Sequence, residues 1–302
     1  MGMPSNIAII DTMMGTRAGA TAKEQNYAFL RQGQLKDPES QQMNFPAQYM
    51  FKDVPFSDQS RDASGPIDEP AQGADLLLPE MDKWGVERAM VGVSPANVIA
   101  QKTLADHPDR FFGAYEFDPN KGMDEVRMLI KMYETYGIKA ATAFPAGYLP
   151  QVPINDKKMY PFYAKCVELD IPVFVCSGIP GPRVPFAPQH VERIDEVCYD
   201  FPELRFVTRH GCEPWTALAV KLMLKWPNLY YSTSAFAPKY YPKAIIDYAN
   251  SRGADKVLYA GYFPMGLSLE RIFSELPNVP LKDEVWPKFL YGNAARILGL
   301  ES

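Results

Sequence analysis

The sequence predicts one α/β domain, a single (β/α)8 barrel of the TIM type, and three observations carry the prediction. Short apolar runs alternate with helix-like stretches from Ala74 onward, and with the N-terminal run they make eight strand-like segments. Most of these runs are apolar almost without interruption. Strands read that way when helices cover one face and a barrel interior fills the other. Finally, the length of 302 residues suits a closed barrel, and no GxGxxG or GxxxxGK[ST] motif argues for an open nucleotide-binding sheet.

The first strand is expected over Asn6–Asp11, an apolar run that delivers Asp11 to its end. Residues 16–72 follow as a long, mostly polar section with little periodicity. It holds the aromatic segment from Phe45 to Phe56 and a Ser/Asp/Gly-rich patch from Ser57 to Gly65. An irregular insertion of that size reads as a lid or an oligomer contact. A helix through Leu76, Leu77 and Met81 then stops at Gly85. Strands are expected at Arg88–Val93, Phe111–Phe117, Ile138–Phe144 and Pro172–Cys176, and again at Leu204–His210, Leu229–Ser232 and Lys256–Gly261. Helices fall between them, near Val98–Ala105, Asp124–Tyr136, Asp156–Leu169, Gln189–Asp200, Trp215–Lys225 and Pro242–Ser251. The chain closes with helical pattern from Leu267 and around Val285–Leu298. No internal repeat or linker interrupts it, so residues 1–302 are expected to form one domain.

Composition narrows the function. A formal charge of −5 and the lack of any Lys/Arg-rich run exclude a nucleic-acid partner. No apolar stretch approaches the roughly eighteen residues of a membrane span. The N-terminus has no basic region before its apolar residues, so no secretion signal is expected. Cys166, Cys176, Cys198 and Cys212 form no CxxC pair and read as reduced thiols of a cytoplasmic protein.

Catalytic groups of such a barrel gather where strands end. Those ends are Asp11 with Met13, Phe144, Cys176, Arg209 with His210, Ser232 with Ser234, and Tyr262. Cys176 and His210 close neighbouring strands, which sets a thiol and an imidazole at one level of the mouth. A thiolate is a nucleophile, and a nearby His or Arg lowers its pKa. The structural alternative for Cys176 is a small buried hydrophobe. Arg209 precedes His210, and strand alternation would turn it toward the helices. His107 and His190 lie before a strand and at a helix start, where structural roles are expected. Aromatic residues crowd the later loops, so an apolar or aromatic ligand is expected. Phe144, Arg209, Trp215, Ser232 and Phe263 are the candidate substrate contacts.

The chain resembles the amidohydrolase-related proteins of the aminocarboxymuconate-semialdehyde decarboxylase type. The resemblance lies in Ile10-Asp11, Trp84-Gly85-Val86, His107-Pro108-Asp109-Arg110-Phe111, Asp118-Pro119 and Phe201-Pro202-Glu203-Leu204. It continues in His210-Gly211, Trp226-Pro227-Asn228-Leu229-Tyr230, Val257-Leu258-Tyr259-Ala260-Gly261 and Asn293-Ala294-Ala295-Arg296. It implies a distorted TIM barrel, a homodimer or larger oligomer, and decarboxylation, hydration or hydrolysis of small carboxylated or aromatic compounds. It also implies one divalent metal, commonly zinc, held by a His-x-His pair, a fifth-strand His and an eighth-strand Asp. Here those positions fall on Met13 and Gly15, on Cys176, and on Tyr262, while the family's sixth-strand acid/base His is kept as His210. No metal or other cofactor is therefore expected.

The leading expectation is a metal-independent hydrolase or C–C lyase acting on an apolar or aromatic carbonyl or carboxyl compound. His210 would be general acid/base and Cys176 nucleophile or polar partner. Tyr262 would donate to a developing oxyanion, and Asp11 would orient one of them. Two other readings stay open. One is a non-catalytic barrel that binds a ligand or a partner through residues 16–72. The other is a metal-dependent enzyme with an atypical ligand set drawn from Asp11, Cys176, His210 and Cys212.

Overall fold

The computed structural model describes residues 3–4, 6–16, 73–182, 184–264 and 267–300. Apart from residue 16, the expected insertion over 16–72 lies outside them, and with it the lid or oligomer contact assigned there.

The strands are β1 (Ile9–Met14), β2 (Val86–Gly92), β3 (Phe111–Glu116), β4 (Ala140–Ala143), β5 (Val173–Cys176), β6 (Phe206–Arg209), β7 (Leu229–Ser232) and β8 (Val257–Leu258). They form one eight-stranded sheet in sequence order, each parallel to the next. The helices are α1 (Ala74–Trp84), α2 (Val98–Asp106), α3 (Met123–Tyr136), α4 (Tyr160–Glu168), α5 (Arg193–Asp200), α6 (Thr216–Lys225), α7 (Lys243–Ala249), α8 (Leu269–Glu275) and α9 (Asn293–Leu298). The (β/α)8 barrel expected from the sequence is the fold.

Side chains alternate along each strand, so every strand feeds two cores. Ile10, Met90, Phe112, Ala114, Ala140, Phe174, Val207, Tyr230 and Leu258 point inward and pack together. Ala294, Ala295, Ile297 and Leu298 of α9 join that cluster and plug the end at which the strands start. Asn293 fixes the plug by donating from Nδ2 to the carbonyls of Ala254 and Val257, both at 2.8 Å. The alternate residues, among them Val91, Tyr115, Val175 and Phe206, pack outward against the helices.

Three of the departures from the expected strand boundaries bear on the barrel mouth and its closure. β1 runs on to Met14, so Asp11 sits within the strand and not at its end. β8 is two residues long where six were expected, because side chains take the backbone groups that a ladder would use. Asp11 Oδ1 accepts the Gly261 N–H at 2.8 Å, and Thr12 Oγ1 donates to the Tyr259 carbonyl at 2.9 Å. The Gly15 N–H then donates to the Phe263 carbonyl at 2.9 Å, so β1 and the β8 region meet through individual bonds. The approach requires Gly261: a Cβ there would stand 2.5 Å from Asp11 Oδ2. The third departure is β6, which ends at Arg209 because His210 takes a left-handed backbone with φ 63°.

Candidate active site

Continuing each inward face by one more pair toward the strand ends gives the floor of the barrel mouth. Glu116 follows Ala114, Thr142 follows Ala140, Cys176 follows Phe174, Arg209 follows Val207 and Ser232 follows Tyr230. An apolar interior thus ends in a polar layer, at the level where barrel enzymes place their chemistry. Thr142, Arg209 and Ser232 are all buried. Arg209 Nη1 lies 3.5 Å from Glu116 Oε2, although β6 and β3 are three strands apart. That contact crosses the barrel. The expectation that Arg209 faces the helices is corrected: His210 leaves the strand at its left-handed turn, so both residues reach the mouth.

His210 is held by one serine. Its backbone N–H donates to Ser234 Oγ at 2.9 Å, and its ring Nδ1 pairs with the same hydroxyl at 3.1 Å. These bonds offset a backbone conformation that costs a residue with a Cβ about 1–2 kcal/mol. The ring meets Tyr262 edge-on, with centroids 5.3 Å apart and planes at 86°. Burial, with the Arg209 charge beside it, holds the imidazole well below its ordinary pKa. The ring is therefore neutral near pH 7. Ser234 can donate to Nδ1 or accept from it, so Nε2 can present either a proton or a lone pair.

The other candidates separate. Burial pushes the Cys176 thiol up to about 12, Arg209 lowering it only in part. It forms no hydrogen bond to His210 among the described residues, which corrects its role as an activated nucleophile. Asp11 is bonded to Gly261, to the Met13 N–H at 2.9 Å and to the Tyr259 hydroxyl at 3.4 Å. It orients neither His210 nor Cys176 but holds the β1–β8 junction. Phe263 is fully buried in the outer core, so it is a packing residue and not a substrate contact. Trp215 is half-buried and packs on His190 at 4.0 Å and Phe186 at 5.4 Å, beside the mouth. Phe144 and Tyr262 follow β4 and β8 and are half-buried. Glu116 and Thr142 escaped the sequence reading. Their signal was the inward period of β3 and β4, legible once Ala114 and Ala140 are known to face the interior.

All four cysteines are buried, and burial pushes each thiol up to about 12. Iodoacetamide at pH 8 is expected to leave the native protein unlabelled over a period that alkylates the urea-unfolded chain completely. Rapid labelling of Cys176 in the native protein would reinstate it as a nucleophile.

Residues 42–300 match the family model described as amidohydrolase. The chain belongs to the amidohydrolase family. An uncharacterised TIM-barrel protein of Bordetella bronchiseptica superposes on 97% of this amidohydrolase and 99% of its own chain, with TM-score 0.73 and 22% identity. The 5-carboxyvanillate decarboxylase of Novosphingobium aromaticivorans, crystallised with manganese and 4-hydroxy-3-methoxy-5-nitrobenzoic acid, covers 98% of this chain and 97% of its own. Its TM-score is 0.69 and its identity 14%. A 2-keto-4-carboxy-3-hexenedioate hydratase of Sphingobium is 33% identical over 76 residues, and the match spans 22% of either protein. The family is one of enzymes, and this chain falls within it. No helix among its described residues is long and apolar enough to cross a membrane.

The expectation that this protein takes no metal cofactor is corrected by the Novosphingobium decarboxylase of the same fold, which is crystallised with manganese. The described residues do not themselves fit one. Among them no group of three or more His, Cys, Asp or Glu side chains could hold a metal ion. Asp11 spends its oxygens on two backbone N–H groups and a phenol, and Cys176 keeps its proton. No chemical step is assigned to a metal.

Proposed function

We propose that this amidohydrolase is a lyase of the decarboxylase or hydratase type, acting on a small aromatic or conjugated carboxylate. The observation that carries the reading is the neutral imidazole of His210, held by Ser234 at the end of β6 above the polar mouth. The names of the matched decarboxylase and hydratase, both with carboxylated substrates, support the same class. In a decarboxylation the electron pair of the breaking C–C bond stays on carbon, CO2 leaves, and a proton from solvent reaches that carbon by way of the His210 imidazole, which ends neutral as it began. In a hydration His210 takes a proton from the water that adds, and returns it to the neighbouring carbon. Tyr262, in edge contact with His210, donates to oxygen as negative charge develops there. Phe144 and Trp215 supply apolar walls. The homo-oligomer and the cytoplasmic setting expected from the sequence stand as proposals alongside this one.

Hydroxybenzoates, benzene dicarboxylates and conjugated enoic diacids are the panel that tests the reading, assayed with added manganese and after chelation. Loss of ultraviolet absorbance with released CO2, or with uptake of solvent oxygen, is the expected signal for at least one class. An inert panel under both conditions, with the protein folded, would leave the chain a non-catalytic binder and defeat the lyase reading.

A further inference from the structure

The polar layer of the mouth holds hydrogen-bonding capacity that the protein does not use. Arg209 is 8% exposed, and its Nε and Nη1 have no hydrogen-bond partner among the described residues. Glu116 approaches Nη1 at 3.5 Å but does not reach hydrogen-bond geometry, and its own side chain is half exposed. Ser232 is 1% exposed, and its hydroxyl is likewise without a partner among the described residues. The pairing of β6 with β7, which sets Thr208 beside Tyr231, carries Arg209 beside Ser232 one residue further on. Cys176 pairs with Arg209 from the other side and fills that flank with a neutral thiol.

A buried donor left unsatisfied is costly, and a charged one more so. A ligand that accepts from such a donor removes that cost. Nε and Nη1 donate from different edges of the guanidinium, so each can give one charge-assisted hydrogen bond to an anion, the kind that makes Arg–carboxylate contacts strong. A hydroxyl on the neighbouring strand can donate to either oxygen. Glu116, on the far wall, keeps the guanidinium partly neutralised in the meantime and competes with an incoming anion for it.

We propose that Arg209 and Ser232 form a carboxylate subsite at the floor of the mouth, and that Glu116 is the counter-ion an incoming carboxylate displaces. The inference rests on the lyase reading for its substrate class, and on the geometry alone for the site. Its consequence is orientation. A substrate anchored by a carboxylate at Arg209 turns its far side up toward His210 and Tyr262, so the anchoring carboxylate is not the group that reacts. The preferred substrates then carry a second functional group, either another carboxylate or a conjugated double bond.

Isothermal titration of the full chain with benzoate, benzamide and inorganic phosphate tests the subsite without any need for turnover. Benzoate is expected to bind, while benzamide, equal in shape but uncharged, binds at least tenfold more weakly. Arg209→Met keeps the side-chain volume without the charge, and is expected to lose benzoate at least tenfold with its melting temperature measured as a folding control. Ser232→Ala is expected to weaken benzoate several-fold. Glu116→Gln is expected to tighten it several-fold, a gain that no misfolded variant would produce. Equal benzoate affinity in Arg209→Met, no binding by the wild type, or phosphate binding as tightly as benzoate would each overturn the proposal. The two readings fail separately. Arg209-dependent benzoate binding with an inert substrate panel removes the lyase and keeps the subsite, whereas turnover with KM unchanged in Arg209→Met removes the subsite and keeps the lyase.

Discussion

Replacing His210 by Asn is expected to lower kcat on any substrate found by about 10²–10⁴-fold, the usual contribution of a positioned acid or base. Asn is the informative substitution because His210 sits at φ 63°, a conformation that Asn tolerates better than other residues with a Cβ. The backbone N–H bond to Ser234 does not depend on the side chain and should survive. A variant with an unchanged melting temperature and a collapsed kcat therefore separates chemistry from folding. The wild-type profile adds a second check. Burial and Arg209 hold the imidazole well below its ordinary value, so kcat/KM should show no limb from this group as pH falls through about 6.5. Full activity in His210→Asn would remove His210 from the mechanism.

The second large effect is on stability. Burial raises the Asp11 carboxyl to about 6 in the folded protein, against 3.8 as its unperturbed value, with the Gly261 and Met13 N–H groups holding it down only in part. The raised value means that the folded state binds this proton more tightly than the unfolded state. Its contribution is fully present below about pH 4, falls as pH rises toward about 6, and is absent above. The loss is on the order of 3 kcal/mol by linkage. Exposed carboxylates held below their usual range, such as Asp195 beside Lys225, act in the opposite direction. A difference measurement is therefore needed. Asp11→Asn keeps a carbonyl for the two N–H donors and removes the titration, so wild type minus variant isolates the residue. Urea unfolding at steps from pH 4 to pH 7 should show the wild type losing ground to Asp11→Asn across that window. Parallel curves would show that Asp11 does not titrate there, and the account of the β1–β8 junction as a buried, costly carboxylate would fall.

The alternation of strand and helix was legible in the sequence because apolar periodicity is a local property. Each buried run and each amphipathic stretch reports on its own few residues. Part of the mouth was legible in the same way, since a parallel barrel brings strand ends such as Cys176, His210 and Ser232 to one rim, whereas Arg209 was expected to face the helices and Glu116 and Thr142 were missed. The replacement of the family's metal positions by Met13, Gly15, Cys176 and Tyr262 was also visible, but the expectation drawn from it, that no metal is taken, is corrected by comparison with a manganese-bound decarboxylase.

What those residues do at the rim was decided by tertiary structure. Arg209 points inward two residues after Val207, and His210 joins it at the mouth because it leaves β6 at a left-handed turn, whose φ of 63° neither composition nor period announces. Glu116 becomes its counter-ion only because barrel closure brings β3 and β6 face to face. Cys176 stays a thiol and Asp11 becomes a junction residue because burial and hydrogen-bond partners set a side chain's chemistry. Both come from segments up to 250 residues away along the chain, at distances that local pattern cannot encode.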